Sequence, residues 1–323
     1  MGGEYARKYT FSTDLFIKYW KVSTWYFEAP MNHEGTLSLC HLNKEAKKEI
    51  TVILSGDGPD ECMGGYPRFH TISAILDGTR KIMSRKQRIM SFISRKRPCH
   101  SNSIDEFFIS ESQWLNDGIF SRLRPNNPKD AIAQVYNKRL SILKNTPGTG
   151  LHRYLNYEMR TFMQDILMRT DKISMAASIE VRVPYLMPEI IEFLQGVPDK
   201  YLCDGSLRCE FGTKRILKAL CSDAYGPDFA YRSKMGLSFP FISYFSDANF
   251  RNYVETAIMP GIKNRGVVDY GYVFDIWNKV PKWAQENKYD WRVLHMLWCV
   301  FSFEIWAQLY IDRNPIEDVV GNC

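Results

Sequence analysis

The sequence predicts an α/β protein, a parallel sheet flanked by helices with a largely helical C-terminal half. Three observations carry this. Residues Ile50 to Leu54 read ITVIL, an unbroken apolar and β-branched run. It is too short for a helix and suits a strand buried on both faces of a parallel sheet. The cluster Ser55-Gly56-Asp57-Gly58-Pro59 stops that strand abruptly, because glycine and proline punctuate regular structure. Pro59, Asp60 and Glu61 then open a helix, where proline fits the first turn and carboxylates complement the positive end. Asp57, Asp60 and Glu61 are thereby placed at the carboxyl end of a strand, the crevice where open α/β sheets bind ligands. The stretch as far as Tyr66 is expected to be an active-site loop.

The 323 residues suffice for a sizeable core, and a hydrophobic share of 45% excludes a disordered or fibrous class. Net charge is +6, but eight basic residues and no acid lie between Arg80 and Arg97. Without those eight the balance is −2, so the basicity is local and a protein-wide nucleic-acid role is not implied. The eight cysteines show no C-x-x-C pair or zinc spacing, and no signal peptide precedes them; they read as reduced thiols in a cytoplasmic protein. Val293 to Ile311 is the one candidate membrane span, but His295, Glu304 and Gln308 interrupt it. A buried C-terminal core helix is the better reading.

Taken in order, aromatic residues recur at helical intervals from Phe11 to Phe27, and Pro30 ends that run. Thr36 to Lys48 reads as a helix with Leu39, Leu42 and Ala46 on one face, feeding the strand at Ile50. A helix, a short connection and a parallel strand make half of a βαβ unit; the half that should precede it is missing or weak. Residues 79–100 read as a basic surface insertion in which Ile82, Met83, Ile89, Met90 and Ile93 could form one helical stripe. No aromatic platform accompanies that charge, which favours a solvated helical hairpin over a membrane or nucleic-acid contact. Residues 101–160 look mostly helical, broken at Pro125, Pro128 and Pro147-Gly148.

A second block, Leu167 to Leu186, ends a helix, passes through the small residues Ser174 to Ser178, and continues as Glu180-Val-Arg182-Val-Pro184. Asp171, Glu180 and Arg182 concentrate charge among small and apolar neighbours, as a salt-bridge network or a ligand site would. A third block has a basic amphipathic helix from about Thr213, then a loop holding Lys234 between Tyr231 and Pro240. Alone, Lys234 is an ordinary solvated charge.

Together, in this order and spacing, the blocks resemble the synthetase domain of the asparagine synthetase family. Ser55-Gly-Asp-Gly-Pro-Asp-Glu-Cys-Met-Gly-Gly-Tyr66 is similar to its S-G-D/E-G-x-D-E…G-G-Y signature, and Asp171 to Leu186 to its D-R-x-S-M-A-x-S-x-E-x-R-x-P-F-L-D signature. Tyr231 to Pro240 resembles its third loop, with Leu237 for Phe, and Glu28-Ala-Pro30 its D-E-P element. The resemblance runs from about Glu28 to Asp312 and treats 1–323 as a single domain. It implies an adenine-nucleotide α-hydrolase-like fold of PP-loop type. It also implies an ATP- and Mg²⁺-dependent reaction in which aspartate or a similar carboxylate is adenylylated, pyrophosphate leaves, and ammonia displaces AMP.

By that resemblance Ser55, Gly56, Asp57 and Gly58 contact ATP, and Asp57 accepts the proton of incoming ammonia. Asp60, with Glu61 as a second candidate, would be the magnesium ligand, since bare carboxylates about 4 Å from a phosphate charge would be repelled by roughly 4 kcal/mol. Lys234 would stabilise charge as pyrophosphate leaves, a kind of role worth about 3–4 kcal/mol. Asp171, Glu180 and Arg182 remain either a substrate site or a structural network.

The departures are informative. The family's S-G-G-x-D-S loop, which cradles pyrophosphate, and its glutaminase domain do not occur in these residues. Lys172 replaces Arg, Met187 replaces Asp, and Pro59 enters the first motif. The expectation is therefore a truncated or split synthetase, its missing loop and glutamine-derived ammonia coming from a separate chain, with a homodimer as a further assembly. The alternatives are a catalytically silent homologue with an assembly role, and an amidotransferase for a sugar acid or other carboxylate in surface polysaccharide synthesis.

Overall fold

The computed structural model describes residues 8–83, 99–100, 103–115, 117–124, 128–233 and 239–314. The N-terminal aromatic run forms α1 (Thr13–Phe27), capped by Ser12, whose hydroxyl accepts the Leu15 N–H. Glu28 ends it in the left-handed region at φ 64°. The next helix, α2 (Gly35–Ala46), leads into β1 (Val52–Leu54) as expected, and α3 (Pro59–Cys62) and α4 (Pro67–Leu76) follow, both with proline in the first turn. Then come β2 (Ile82–Met83) and β3 (Cys99–His100), paired in parallel. Ile82 and Met83 thus satisfy their backbone groups across a strand pair rather than in the expected helical stripe; Ile89, Met90 and Ile93 lie outside the described residues.

The middle of the chain is helical, with α5 (Ile104–Glu111), α6 (Asp117–Leu123), α7 (Pro128–Lys144), α8 (Gly150–Arg160) and α9 (Phe162–Met175). The helical run breaks between α6 and α7 as expected, and Pro128 begins α7, a position that suits its missing N–H. After α9 comes β4 (Glu180–Arg182), followed by α10 (Pro188–Gln195), α11 (Asp199–Leu202), α12 (Cys209–Gly212), α13 (Arg215–Tyr225) and α14 (Pro227–Ala230). The last part is α15 (Phe241–Ser246), α16 (Ala248–Tyr253), α17 (Met259–Arg265), α18 (Tyr270–Glu286) and α19 (Trp291–Tyr310).

Two cores hold these helices. The larger joins α1, the α15–α19 group and parts of α2, α6 and α9. Its centre is Trp20, stacked on Trp298 with ring centroids 4.9 Å apart, while its indole N–H donates to Ser302 Oγ at 3.2 Å. Offset aromatic pairs of this kind add about 0.5–1.5 kcal/mol beyond area burial. The smaller core gathers Phe69, Phe108, Leu151, Tyr154 and Tyr157 from α4, α5 and α8. The C-terminal helix α19 is long and apolar enough to cross a membrane, yet 67% of its most apolar window is buried in the larger core, in line with the core-helix reading.

β1 pairs in parallel with β4, Val52 opposite Glu180 and Leu54 opposite Arg182. The parallel pairing is the expected one, but the expected burial on both faces is not found. Val52 is 50% and Leu54 72% exposed, because among the described residues this sheet has two strands and no further layer covers β1. Cys62, Cys203, Cys221 and Cys299 are in no disulfide.

One buried ion pair locks the C-terminal helices. Arg265 at the end of α17 grips Glu304 of α19 with two bonds of 2.8 and 3.1 Å, and Glu304 is 1% exposed. Replacing Arg265 with Ala leaves that carboxylate without its cation, so urea denaturation should record a loss of about 3–5 kcal/mol. A loss below about 1 kcal/mol would show that Glu304 needs no paired cation.

Candidate active site

The site is built where β1 and β4 end side by side. The ladder runs one bond past the strands, Ser55 N–H donating to Arg182 O at 2.8 Å. The chain then turns on Ser55, whose hydroxyl accepts the Asp57 N–H at 3.2 Å and donates to Asp57 Oδ2 at 2.7 Å. Such local side-chain bonds hold serine in turns. From α9, Thr170 Oγ1 donates to the same oxygen at 3.1 Å. Two hydroxyls thus orient the half-buried Asp57 carboxylate through Oδ2. The neighbouring Arg169 guanidinium adds a favourable charge interaction with Asp57.

Backbone geometry explains the glycines at two positions. Gly58 has φ +108°, and a Cβ there would lie 2.5 Å from Leu186 Cδ2, on the segment after β4. The loops following the two strands are therefore in contact, and only glycine permits both the angle and the approach. At Gly65 a Cβ would lie 1.8 Å from Asp60 Oδ1. Gly56, by contrast, borders open space.

Asp60 occupies the first turn of α3, where Lys214 reaches it at 3.0 Å. Lys214 sits in the left-handed region at φ 48° just before α13. Sequence reasoning missed this lysine; its only signal was a basic residue immediately ahead of an amphipathic helix. Glu61 turns inward. It is 1% exposed and accepts the Tyr66 hydroxyl, and burial, with Asp60 and Glu158 adding negative field, pushes its carboxyl up to about 7. Behind it Arg68 covers the Tyr66 ring at 4.1 Å and grips buried Glu158 with bonds of 3.2 and 3.0 Å.

The second block is brought to the loop only in part. Thr170 and Arg169 reach Asp57, but Asp171 is exposed. Glu180 and Arg182 pair with each other at 2.7 Å on the solvent side, with side chains 54% and 66% exposed. Uncovered strand faces leave them in water, so they are not the buried charges expected, and such a surface pair contributes about 0–1 kcal/mol. Lys172 crosses to Glu28 and the Phe27 carbonyl, tying this block to the Glu28-Ala-Pro30 element. Lys234 lies outside the described residues.

The donor set fits a nucleotide with magnesium in a restricted sense. Asp57 and Asp60 present carboxylate oxygens, the donor type magnesium takes, and open space borders Gly56. No group of three or more His, Cys, Asp or Glu side chains among the described residues could hold a metal ion alone. A magnesium ion bound here would share one or two carboxylates with phosphate oxygens and water, its usual mode. Next to the loop, beyond Tyr66, opens a cavity of about 630 Å³ walled by His33, Glu34, Trp114, Phe162, Phe241 and His295.

The family model described as Asparagine synthase matches residues 3–308. Asparagine synthetase (glutamine-hydrolyzing) 1 of Bacillus subtilis (strain 168) is 23% identical over 315 residues, covering 92% of this chain and 46% of its own length. A putative asparagine synthetase (glutamine-hydrolyzing) of Mycobacterium bovis is 23% identical over 330 residues, 95% of this chain and 47% of its own. Amidase chry2 of Gibberella zeae is 24% identical over 215 residues, 57% of this chain and 31% of its own. The chain thus spans about half the length of the first two.

The inward Glu61 carries a pH signature. Its folded pKa, about 7, lies above the ordinary 4.5, so the folded state holds the proton more tightly than the unfolded chain. That stability is fully present below about 4.5 and is lost as pH rises through about 7. Glu61→Gln keeps an acceptor for Tyr66 but cannot ionise. Its stability relative to the parent should therefore rise between pH 4.5 and 7.5, by up to the order of 3 kcal/mol. Parallel denaturation curves across this range would refute that assignment.

Proposed function

Because the chain belongs to the asparagine synthase family, we propose that it performs the ATP-dependent steps of amide formation on a carboxylate, with aspartate as the reference substrate. The observation that carries this reading is Asp57, oriented by the Ser55 and Thr170 hydroxyls at the end of β1, beside a second carboxylate and a glycine bordering open space. Ser55–Gly58 would hold ATP, and Asp60 would hold the magnesium ion that accompanies its phosphates. Magnesium supplies charge neutralisation there when bound.

The substrate carboxylate attacks the α-phosphorus, forming an acyl adenylate as the bond to pyrophosphate breaks. Ammonia then attacks the acyl carbon, AMP leaves with the bonding pair, and Asp57 takes the proton the nitrogen releases. Lys234 stabilises the negative charge on phosphorus in the first step. The exposed β1 is where a further segment, carrying a pyrophosphate-cradling loop and an ammonia source, would dock on the sheet.

A second reading is a homologue that binds or assembles without turnover. One observation favours it: the Lys214 ammonium sits 3.0 Å from Asp60 Oδ1, where a divalent cation would otherwise bind.

Pyrophosphate release separates the two. These 323 residues alone should release little from ATP with aspartate and ammonia; appreciable turnover would remove the need for a further segment. In an assembly that does turn over, Lys234→Ala should lower pyrophosphate release by about 10²–10³-fold, and unchanged release would take Lys234 out of the mechanism. An assembly without release in any combination would favour the silent homologue.

A further inference from the structure

A second cavity, of about 610 Å³, opens among α10, α11, α12 and α13. It shares no wall residue with the cavity beyond Tyr66 or with the loop from Ser55 to Tyr66. Gly196 closes α10 and Pro198 precedes α11, and the chain between them forms one wall. Phe193, Tyr201, Phe211 and Tyr231 supply the aromatic surface, with the Phe211 and Tyr231 rings 5.1 Å apart. Phe193 is 61% exposed, and Tyr201 and Phe211 are exposed as well. Single apolar residues on a surface are ordinary, but several around one hollow mark a binding site.

One charge lines this cavity, the Arg215 guanidinium in the first turn of α13, and no carboxylate does. Its Nη1 donates to the Lys200 carbonyl and, at 3.1 Å, to Asp204 Oδ2. Among the described residues nothing accepts from its Nε or Nη2. Those two nitrogens form the edge with which Arg265 grips Glu304 near the C-terminus, and a carboxylate fits such an edge with two parallel bonds. Lys200 brings a second cation nearby, its ammonium 5.2 Å from the centre of the Tyr201 ring. Asp204 offsets part of this field but is not in the cavity wall.

We propose that this cavity binds a small monocarboxylate with an apolar body. The carboxylate takes the Nε and Nη2 edge of Arg215, and the body lies among the four aromatic rings and over Ala219. The volume and the composition, an apolar wall with one placed polar group, are those of small-ligand sites. A second carboxylate on the ligand would face aromatic rings with no further lining cation to meet it, where an unpaired charge is disfavoured. The site uses none of the residues of the amide-synthetase reading and does not rest on it. One helix nevertheless borders both, since Lys214, the residue before Arg215, holds Asp60.

The test is calorimetric titration of the whole chain with 4-phenylbutanoate, with saturation transfer to its ring. The controls are 4-phenylbutanamide, which keeps the body and removes the charge, and succinate, which keeps carboxylates and removes the body. Phenylbutanoate should bind at least about tenfold more tightly than either, and ATP should not displace it. Arg215→Gln should bring phenylbutanoate down to the level of its amide. Ala219→Trp, at an exposed position where a larger side chain fills the hollow without entering the core, should abolish binding, and it decides the matter if Arg215→Gln does not fold. Equal binding of the amide or of succinate, displacement by ATP, binding that survives Ala219→Trp, or no binding at all would overturn the proposal. Sedimentation reads the rival occupant, a second copy of this chain: self-association that Ala219→Trp abolishes would assign the groove to that copy and overturn the proposal as well.

Discussion

The site depends on one short constraint, the parallel pairing of β1 with β4. Three residues a side, Val52 to Leu54 against Glu180 to Arg182, bring together segments more than a hundred positions apart in the chain. The ladder ends in the Ser55–Arg182 bond, and the two following loops must then run together. Gly58 gives the close approach to Leu186, and Thr170 completes the hold on Asp57 from the helix that feeds β4. Shifting the register by one residue would send every side chain of the strand to the opposite face. The orientation of Asp57 is therefore a property of the sheet as much as of the loop.

Much of this was legible in the sequence because local chemistry dictates it. Apolar β-branched residues followed by Ser-Gly-Asp-Gly-Pro admit few structures other than strand, turn and proline-started helix. The α9–β4 connection through small residues was equally readable. What could not be read is burial, since a strand's period says which residues share a face and not whether anything covers that face. Val52 and Leu54 look like core residues and stand in solvent, and the same uncovered surface leaves Glu180 and Arg182 as a water-exposed pair. Ile82 and Met83 fit a helical stripe in pattern, but pairing with the nearby strand at Cys99 and His100 decided otherwise.

The residues that sequence reasoning missed share a property. Lys214, Arg169, Glu34 and His33 each gain meaning from a neighbour distant in sequence. Lys214 is an ordinary helix-flanking cation until Asp60 is placed 3.0 Å away. Glu34 is an ordinary carboxylate until α9 and α19 close over it. Three-dimensional enclosure, and not residue type, moves these groups from solvated to buried or paired.

The exposed face of β1 sets a trade-off for any attempt to alter this protein. Uncovered apolar strand residues invite association with whatever strand is at hand, and proteins commonly blunt such edges with lysine, proline or short length. β1 is short, but Val52 and Leu54 carry no such guard. A charge at either position would improve solubility and, by the same contact, bar a further strand from extending the sheet beside Asp57. Solubility and completion of the sheet thus compete for the same two side chains.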